Sequence, residues 1–358
     1  MSTLRHASGL RVLRALGCAL VVIVALTACG RTSGTVHTST GAAGSGRGAV
    51  PFRAEKGHKL TIGFSNYLAV IPFYRAMIAG VKKQASEYGW NVVVTDSNAD
   101  PSHQQTDIQS LIARKVDALL VSPGDENALI PAYKAAAAAH IPVVSIANRL
   151  SPAGARYQTA YYGIPLERLG QLQAQALVKA MHGKGNVLQV TGPPGIAFVT
   201  QTAVGSKEVF GQHPGVKVVF SQATNALAAS EGFRVAQDGL SAKPNIQGAW
   251  AQDDEVAVGV VRALQLRGLA GKIPVAWNGG TPDTMDMAAK GELVGVILPT
   301  YQWGMAVVRE IHAAVDDGQP FTESHYGSMF LLRSAAQARS LIAQCPATPD
   351  EVWCLGRS

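Results

Sequence analysis

The sequence predicts an α/β protein with two doubly wound parallel-sheet units of similar size. From residue 59, short β-branched runs alternate with longer segments of helical pattern, and the alternation starts again near residue 186. Such alternation is typical of parallel sheets covered by helices on both faces. The chain has 358 residues, 47% of them hydrophobic, which is enough for two such units. The alternative is a single barrel of about eight βα units.

The individual elements follow from the same pattern. In the first unit we expect strands at 60–66, 91–97, 118–123 and 142–148, and helices near 72–88, 102–114 and 126–139. In the second unit we expect strands at 186–192, 216–222, 246–252 and 273–279, and helices near 166–182, 197–211, 229–242 and 253–268. TAYYG (159–163) lies between the two units and is predicted to be a crossover, which argues against a closed barrel.

The N-terminus predicts export. Residues 1–28 contain three arginines, then an apolar stretch from Ala15 to Leu26, and no acidic residue, which is the layout of a secretory signal. The apolar stretch is short for a membrane span. The LTACG that follows (26–30) resembles a bacterial lipobox, which implies cleavage before Cys29 and a lipid on its sulfur. The alternative is an ordinary signal peptide with an incidental cysteine. Residues 29–58, rich in Gly, Ser and Thr, are predicted to be a flexible linker.

Composition and motifs exclude several partners. The formal charge is +7, three of the positive charges lie in residues 1–28, and no run of Lys or Arg occurs, so nucleic-acid binding is not expected. The sequence has no HExxH, CxxC or phosphate-binding GxxxxGK[ST] motif, and its nine histidines are scattered. We therefore expect no metal and no cofactor. Cys345 and Cys354 bracket a short loop, and in an exported protein they predict a disulfide; two free thiols are the alternative.

Four stretches carry a resemblance to a known family. They are IPFYRAMIAG…DALLVSP (71–123), IPVVSIANR (141–149), AQDDEVAVGVVRALQ (251–265) and WNGGTPD (277–283). From about residue 60 to 333, the chain resembles periplasmic sugar-binding proteins of the ribose/galactose type, the substrate-binding subunits of ABC importers. The resemblance implies the type I periplasmic-binding-protein fold, with two lobes, a three-strand hinge and a ligand cleft between the lobes.

The resemblance also implies domain limits. The first lobe would contain 59–162 and 281–298 with part of 300–328, and the second lobe 163–280 with the tail 329–358. The three crossings between the lobes are expected near 160–163, 297–300 and 327–330.

Site residues are expected beyond the carboxyl ends of the strands, where open parallel sheets bind ligands. Ser122, Asn148, Arg149, Asp253, Trp277 and Asn278 lie at such ends. The resemblance assigns Phe73 and Tyr74 to the apolar faces of a sugar, and it gives Asn148 and Arg149 the role of clamping hydroxyls. It places Phe198 in the first loop of the second lobe, near the cleft. Alternatively, Phe73 and Tyr74 are core residues and Arg149 lies in a surface turn.

This sequence departs from the family pattern at several cleft positions. Ile71 and Ser122 stand where Asn is common, Thr200 where a ligand-contacting Arg is usual, and Leu298 near a hinge Gln. Asn148 and Asn278 replace acids. An unpaired buried hydroxyl costs about 1–3 kcal/mol, so we expect a ligand with fewer hydroxyls than ribose, or with a different hydroxyl pattern or an apolar substituent.

The expected function is capture of a small carbohydrate or polyol for delivery to an ABC permease. The protein is expected to be a monomer, held by its lipid on the outer side of the cytoplasmic membrane. A sensor that docks to a membrane receptor and a binder of a non-sugar solute remain alternatives. A DNA-binding regulator conflicts with export.

An enzyme with catalytic residues is not expected, because Asp253, Asp254 and Glu255 are consecutive. Consecutive helical positions point about 100° apart instead of converging on a bond. We expect Asp253 to accept ligand hydroxyls, while Asp254 and Glu255 only begin a helix.

Overall fold

The computed structural model describes residues 48–321 and 324–357. Its strands are β1 (Thr61–Asn66), β2 (Asn91–Asp96), β3 (Ala118–Val121), β4 (Val143–Ile146), β5 (Ala160–Gly163), β6 (Gly185–Thr191), β7 (Val216–Ala223), β8 (Gly248–Ala251), β9 (Val275–Gly279), β10 (Leu293–Ile297), β11 (Ser324–Tyr326) and β12 (Phe330–Leu332). Its helices are α1 (Pro72–Glu87), α2 (Pro101–Ala113), α3 (Ile130–Ala138), α4 (Pro152–Ala155), α5 (Leu166–Ala180), α6 (Ala197–Gln212), α7 (Ala229–Ala242), α8 (Asp254–Leu266), α9 (Pro282–Ala289), α10 (Thr300–Asp316) and α11 (Ala335–Ile342), and a 3₁₀ helix covers Val352–Cys354.

The strands form two sheets, which confirms the predicted two-lobed α/β fold and excludes the single barrel. The first sheet has the order β11-β5-β4-β3-β1-β2, with every pair parallel. The second has the order β12-β10-β9-β8-β6-β7, and only β12 is antiparallel to its neighbour. The strand order reverses beside β1 in one sheet and beside β6 in the other. In such folds ligands bind outside the carboxyl ends at these switch points.

Local sequence signals explain where the elements begin. Proline is the first residue of α1 and of α2, where its missing N–H costs nothing. Asp100 caps α2 by accepting a hydrogen bond from the backbone N–H of Ser102 at 2.8 Å. The expected strands and helices up to residue 279 are present. TAYYG (159–163), the predicted crossover, contains strand β5, which pairs with β4. The chain leaves the first lobe directly after this strand.

The chain passes between the two sheets three times: between β5 and α5, between β10 and α10, and between β11 and β12. Two of these crossings touch, because the backbone N–H of Gly327 donates to the carbonyl oxygen of Gly163 at 2.6 Å. The Tyr161 hydroxyl donates to the carbonyl oxygens of Ala147 at 2.9 Å and Ile164 at 3.3 Å, and so holds the start of the first crossing.

Two predicted domain limits need correction. The segment 281–298 was expected in the first lobe, but its strand β10 pairs with β9 and β12 and therefore lies in the second sheet. Helix α10, which follows it, packs on α1 of the first lobe. These helices approach closely through glycines: a Cβ on Gly80 would collide with the carbonyl oxygen of Tyr301.

The predicted linker also extends too far. Residues 48–58, its last part, lie against the first lobe. Phe52 stacks on Phe321 with 6.2 Å between ring centroids, and the carbonyl oxygen of Val50 accepts a hydrogen bond from Thr159 Oγ1 at 2.6 Å. The signal peptide, Cys29 and the rest of the linker lie outside the described residues.

The C-terminal tail is joined to the body at several points. Cys345 and Cys354 form a disulfide bond with an S–S distance of 2.05 Å. Arg357 forms a salt bridge with Asp286 on the second lobe at 2.7 Å, and Gln302 on α10 donates to Glu351 at 2.7 Å. The tail therefore contacts both lobes. Within the described ranges, no helix is long and apolar enough to cross a membrane, and no cluster of three or more His, Cys, Asp or Glu side chains could hold a metal ion.

Candidate functional site

A cavity lies where the carboxyl ends of both sheets face each other. Its volume is about 60 Å³, which is room for a few waters. The residues that line it come from both lobes and from the crossings: Tyr67, Ile71, Phe73, Tyr74, Ala147, Asn148, Ile164, Leu166, Ile196, Phe198, Leu227, Asp253, Asp254, Glu255, Asn278, Gly279, Thr281, Leu298 and Trp303. Aliphatic and aromatic side chains form most of this wall, and the polar groups are few.

Aromatic rings form the wall contributed by the first lobe. The first turn of α1 presents Phe73 and Tyr74, whose rings meet edge to face at 5.0 Å. Trp303 on α10 meets the Phe73 ring edge to face at 6.1 Å, and its indole N–H donates to the carbonyl oxygen of Ser328 at 2.8 Å. These contacts hold the rings in place. Ring faces of this kind provide large apolar contact area to a small solute.

Asn148 is the main amide of the first lobe at the cavity. The chain turns after β4 because Ala147 has a positive φ of 63°. The Asn148 Nδ2 group donates to the carbonyl oxygen of Pro123 at 3.1 Å and to the Tyr74 hydroxyl at 3.3 Å. The side chain is 7% exposed. Since a carbonyl oxygen can only accept, the contact with Pro123 shows that the NH₂ group of the Asn148 amide, and not its oxygen, faces Pro123.

Asn278 has a matching arrangement in the second lobe. It follows Trp277 in β9 and is 1% exposed. Its Nδ2 donates to the carbonyl oxygen of Gln252 at 2.7 Å and to Gln173 Oε1 at 3.0 Å. The backbone carbonyl again determines which way the amide faces.

Three consecutive acids line the cavity at the start of α8. Asp253 caps this helix by accepting from the backbone N–H of Val256 at 3.0 Å. Burial raises the pKa of Asp253 to about 7, and the negative charges of Asp254 and Glu255 add to the increase. Burial also raises the pKa of Glu255, and the negative charge of Asp254 raises it further.

Asp254 does more than begin the helix, which corrects the expectation from the sequence. It is 6% exposed. Its Oδ1 accepts from Trp277 Nε1 at 3.1 Å and from the backbone N–H groups of Gly280 at 2.9 Å and Thr281 at 3.2 Å. The Thr284 hydroxyl also donates to this oxygen. Asp254 thereby holds the loop between β9 and α9 against the start of α8.

Four residues expected at the ligand do not line the cavity. Trp277 is fully buried in the core of the second lobe, where it supports Asp254. Ser122 is fully buried as well. The Thr200 hydroxyl donates back into its own helix, to the carbonyl oxygens of Ala197 and Ile196. Arg149 donates to Gln201 Oε1 on α6 of the second lobe at 3.0 Å, and its guanidinium lies 5.5 Å from the centroid of the Tyr161 ring.

The structure brings six predicted residues to the cavity: Phe73, Tyr74, Asn148, Phe198, Asp253 and Asn278. Ile71 and Leu298, which depart from the family pattern, line it too. The sequence reasoning missed Tyr67, Glu255, Thr281, Leu227 and Trp303 as wall residues. Tyr67 directly follows β1, so the strand-end rule could have found it, whereas no sequence signal pointed to Leu227.

Comparison with known proteins matches most of the chain. A family model described as periplasmic binding protein domain matches residues 62–320. The ribose import binding protein of Salmonella typhimurium is 30% identical over 227 residues, which cover 63% of this chain and 74% of that protein. The D-apiose import binding protein of Actinobacillus succinogenes is 24% identical over 75% of this chain and 86% of its own length.

A solved structure is also similar. An ABC transporter periplasmic solute-binding protein from Actinobacillus succinogenes with bound D-allose superimposes with a TM-score of 0.73 and 26% identity. The match covers 79% of this chain and all of the solved chain.

Proposed function

This chain belongs to the periplasmic binding proteins of sugar ABC transporters, and from this premise we propose that it captures a small carbohydrate or polyol between its lobes and delivers it to an ABC permease. Its relatives are import proteins for ribose and apiose, and the similar structure contains D-allose. Transport would be the role of the permease, since the chain has no nucleotide-binding motif of its own.

One observation carries the proposal: the cavity is lined from both lobes, at the carboxyl ends of both sheets. A solute held there touches aromatic and polar side chains of both lobes. It therefore binds the closed arrangement of the lobes more tightly than an open one, and binding shifts the protein towards closure. A closed protein is a form that a permease can distinguish from the empty one.

We assign ligand contacts to the six predicted residues that line the cavity. Phe73, Tyr74 and Phe198 provide ring surface, and Asn148, Asp253 and Asn278 provide hydrogen-bonding groups. Ile71, Leu298 and Leu227 bring aliphatic surface to the same wall. This composition favours a ligand with fewer hydroxyls than ribose or with an apolar substituent, because a hydroxyl facing an aliphatic side chain has no partner.

The proposal includes a location. Residues 1–28 would direct export and Cys29 would carry the lipid, so the body would stand on the outer side of the cytoplasmic membrane as a monomer. Replacement of Cys29 by Ser should move the protein from the membrane fraction to the soluble fraction of the cell envelope. A protein that stays in the membrane fraction after this change would contradict the lipid anchor.

Thermal-shift screening tests the ligand class. Pentoses, hexoses, deoxy sugars, pentitols and inositols are each added to the purified chain. A ligand at a hundredfold excess over its Kd stabilises the protein by about 2.7 kcal/mol, which is a clear rise in melting temperature. If none of these solutes raises the melting temperature, the carbohydrate proposal is wrong.

A matched pair of variants tests the site. Asn278→Ala removes an amide at the cavity, and Asn245→Ala removes an exposed amide elsewhere in the second lobe. The first variant should lose the thermal shift given by the best ligand, and the second should keep it. Equal shifts in both variants would show that the ligand binds elsewhere.

A further inference from the structure

The polar wall of the cavity consists mainly of hydrogen-bond acceptors. The Nδ2 groups of Asn148 and Asn278 donate to the backbone carbonyl oxygens of Pro123 and Gln252. Each amide therefore directs its donors into the protein, and its Oδ1 has no hydrogen-bond partner among the described residues. Both side chains are more than nine-tenths buried and line the cavity. Their free oxygens are available only to a donor that enters the cavity.

The carboxylates add to this excess of acceptors. Asp253 accepts one hydrogen bond, from the backbone of Val256, and Glu255 has no hydrogen-bond or ion-pair partner within the described residues. The Trp303 N–H, like the Asn amides, already donates within the protein. The other side-chain donors of the wall are the hydroxyls of Tyr67, Tyr74 and Thr281, and each of them can accept as well.

The charge of Arg262, further along α8, partly offsets the raised pKa of Glu255, but among the described residues no positive side chain forms an ion pair with the three acids. Among the described residues that line the cavity, none is Lys, Arg or His. Arg149, expected from the sequence to lie there, donates to Gln201. The start of α8 contributes only about half a positive charge to the site. Taking an unpaired carboxylate out of water is costly unless a counter-charge is supplied.

We propose that the ligand carries a protonated amine on its carbohydrate or polyol skeleton, and that the carboxylates of Asp253 and Glu255 receive it. An ammonium group has three donors and no acceptor, so it matches the acceptor-rich wall in hydrogen bonding and in charge. The remaining hydroxyls of the ligand donate to the oxygens of Asn148 and Asn278. The same wall rejects ligands with a carboxylate or phosphate. This inference rests on the proposed capture of a carbohydrate or polyol.

Isothermal titration calorimetry with matched ligand series tests the inference. Each series has one skeleton with a hydroxyl, an amine or a carboxylate: glucose, glucosamine and glucuronate; galactose, galactosamine and galacturonate; sorbitol, glucamine and gluconate. In the series with the preferred skeleton, the amine should bind at least about tenfold more tightly than the neutral parent, and the acid should not bind. At a pH near 7, binding of the amine should also release protons, because the ammonium lowers the pKa of Asp253.

The outcomes separate this inference from the proposed function. If neutral parents bind as tightly as their amines, the amine inference is wrong and the carbohydrate proposal stands. If neither parents nor amines bind, the amine inference is wrong, and the carbohydrate proposal is wrong as well if the thermal-shift screen is also negative. Tighter binding of an acid than of its parent would also overturn the inference.

Charge-neutralising variants locate the recognition. Asp253→Asn keeps a residue that caps helices well, and Glu255→Gln keeps the size of the side chain. In both variants the ratio of amine affinity to parent affinity should fall towards one, whatever happens to the absolute affinities. Asp238→Asn is the matched control, because Asp238 is exposed on α7 and pairs with Arg234. An unchanged ratio in both cavity variants would place the amine elsewhere.

Discussion

Trp277 donates its indole proton to Asp254 Oδ1 across 3.1 Å, in the core of the second lobe. The aromatic ring that the sequence placed at the ligand instead supports an acid that lines the cavity. Asp254 in turn accepts from the backbone of Gly280 and Thr281, so this pair holds the loop that follows Asn278.

Trp277→Phe tests this supporting role. The substitution removes one donor from a buried carboxylate, which costs about 1–3 kcal/mol, and the smaller ring adds a cavity. The free energy of unfolding, measured with urea, should fall by at least this amount. Affinity measured with the best ligand of the screen should change much less than in Asn278→Ala. If Trp277→Phe abolishes binding in a stable protein, the ring contacts the ligand after all.

The pKa of Asp253 predicts a pH dependence of stability. Folding raises this pKa from its usual value of about 4 to about 7. Between these two values the folded state holds a proton that the unfolded state has lost, so stability falls as the pH rises through this range. Urea unfolding of the ligand-free protein at a series of pH values measures the slope. Asp253→Asn should make the slope of stability against pH shallower. Part of the slope should remain, because the pKa values of Asp254 and Glu255 are also raised. A slope unaffected by Asp253→Asn would contradict the assignment.

The hydrogen bond from Arg149 to Gln201 joins the two lobes outside the cavity wall. Arg149→Ala should therefore weaken every ligand by a similar factor, about two- to tenfold, which corresponds to one hydrogen bond of about 0.5–1.5 kcal/mol. Gln201→Ala should have the same effect, and the double variant should be little worse than either. Calorimetry with several ligands checks this. Losses that differ strongly between ligands would instead support the direct ligand contact expected from the sequence.

The disulfide between Cys345 and Cys354 closes a short loop. Replacing both cysteines by serine should lower the free energy of unfolding by about 2–3 kcal/mol. The cavity residues do not include this loop, so the ligand affinity of the folded double variant should remain within about threefold. Denaturant titration and calorimetry measure the two effects. A double variant with wild-type stability would show that the loop is held by its other contacts alone.

The sequence predicted the fold well because the strand pattern and the carboxyl-end rule depend on local signals. Asn148 and Asp253 come two residues after buried strands, Asn278 is the second-last residue of one, and all three line the cavity. The rule failed where two neighbours were both assigned to the ligand. Successive strand residues point to opposite faces, so Trp277 and Asn278 could not both face the cleft. Applied strictly, this alternation would have excluded one of them.

Other parts of the site depend on the arrangement of distant segments. Trp303 reaches the cavity because α10 returns to the first lobe after β10, and Leu227 reaches it from a loop after β7. No local pattern marks such residues. Arg149 was misplaced for a related reason: its partner Gln201 lies in the other lobe, and a sequence pattern does not show which long side chains meet across the cleft.

Trp303 gives the molecule an optical reporter of its own. Its ring lies in the cavity wall, and its N–H is hydrogen-bonded to Ser328, at the third crossing between the lobes. The other four tryptophans, Trp90, Trp250, Trp277 and Trp353, are buried and do not line the cavity. Tryptophan emission should therefore respond to a bound solute and to movement of the lobes chiefly through one residue. Fluorescence can then follow both events in the unlabelled protein, with Trp303→Phe as the silent reference.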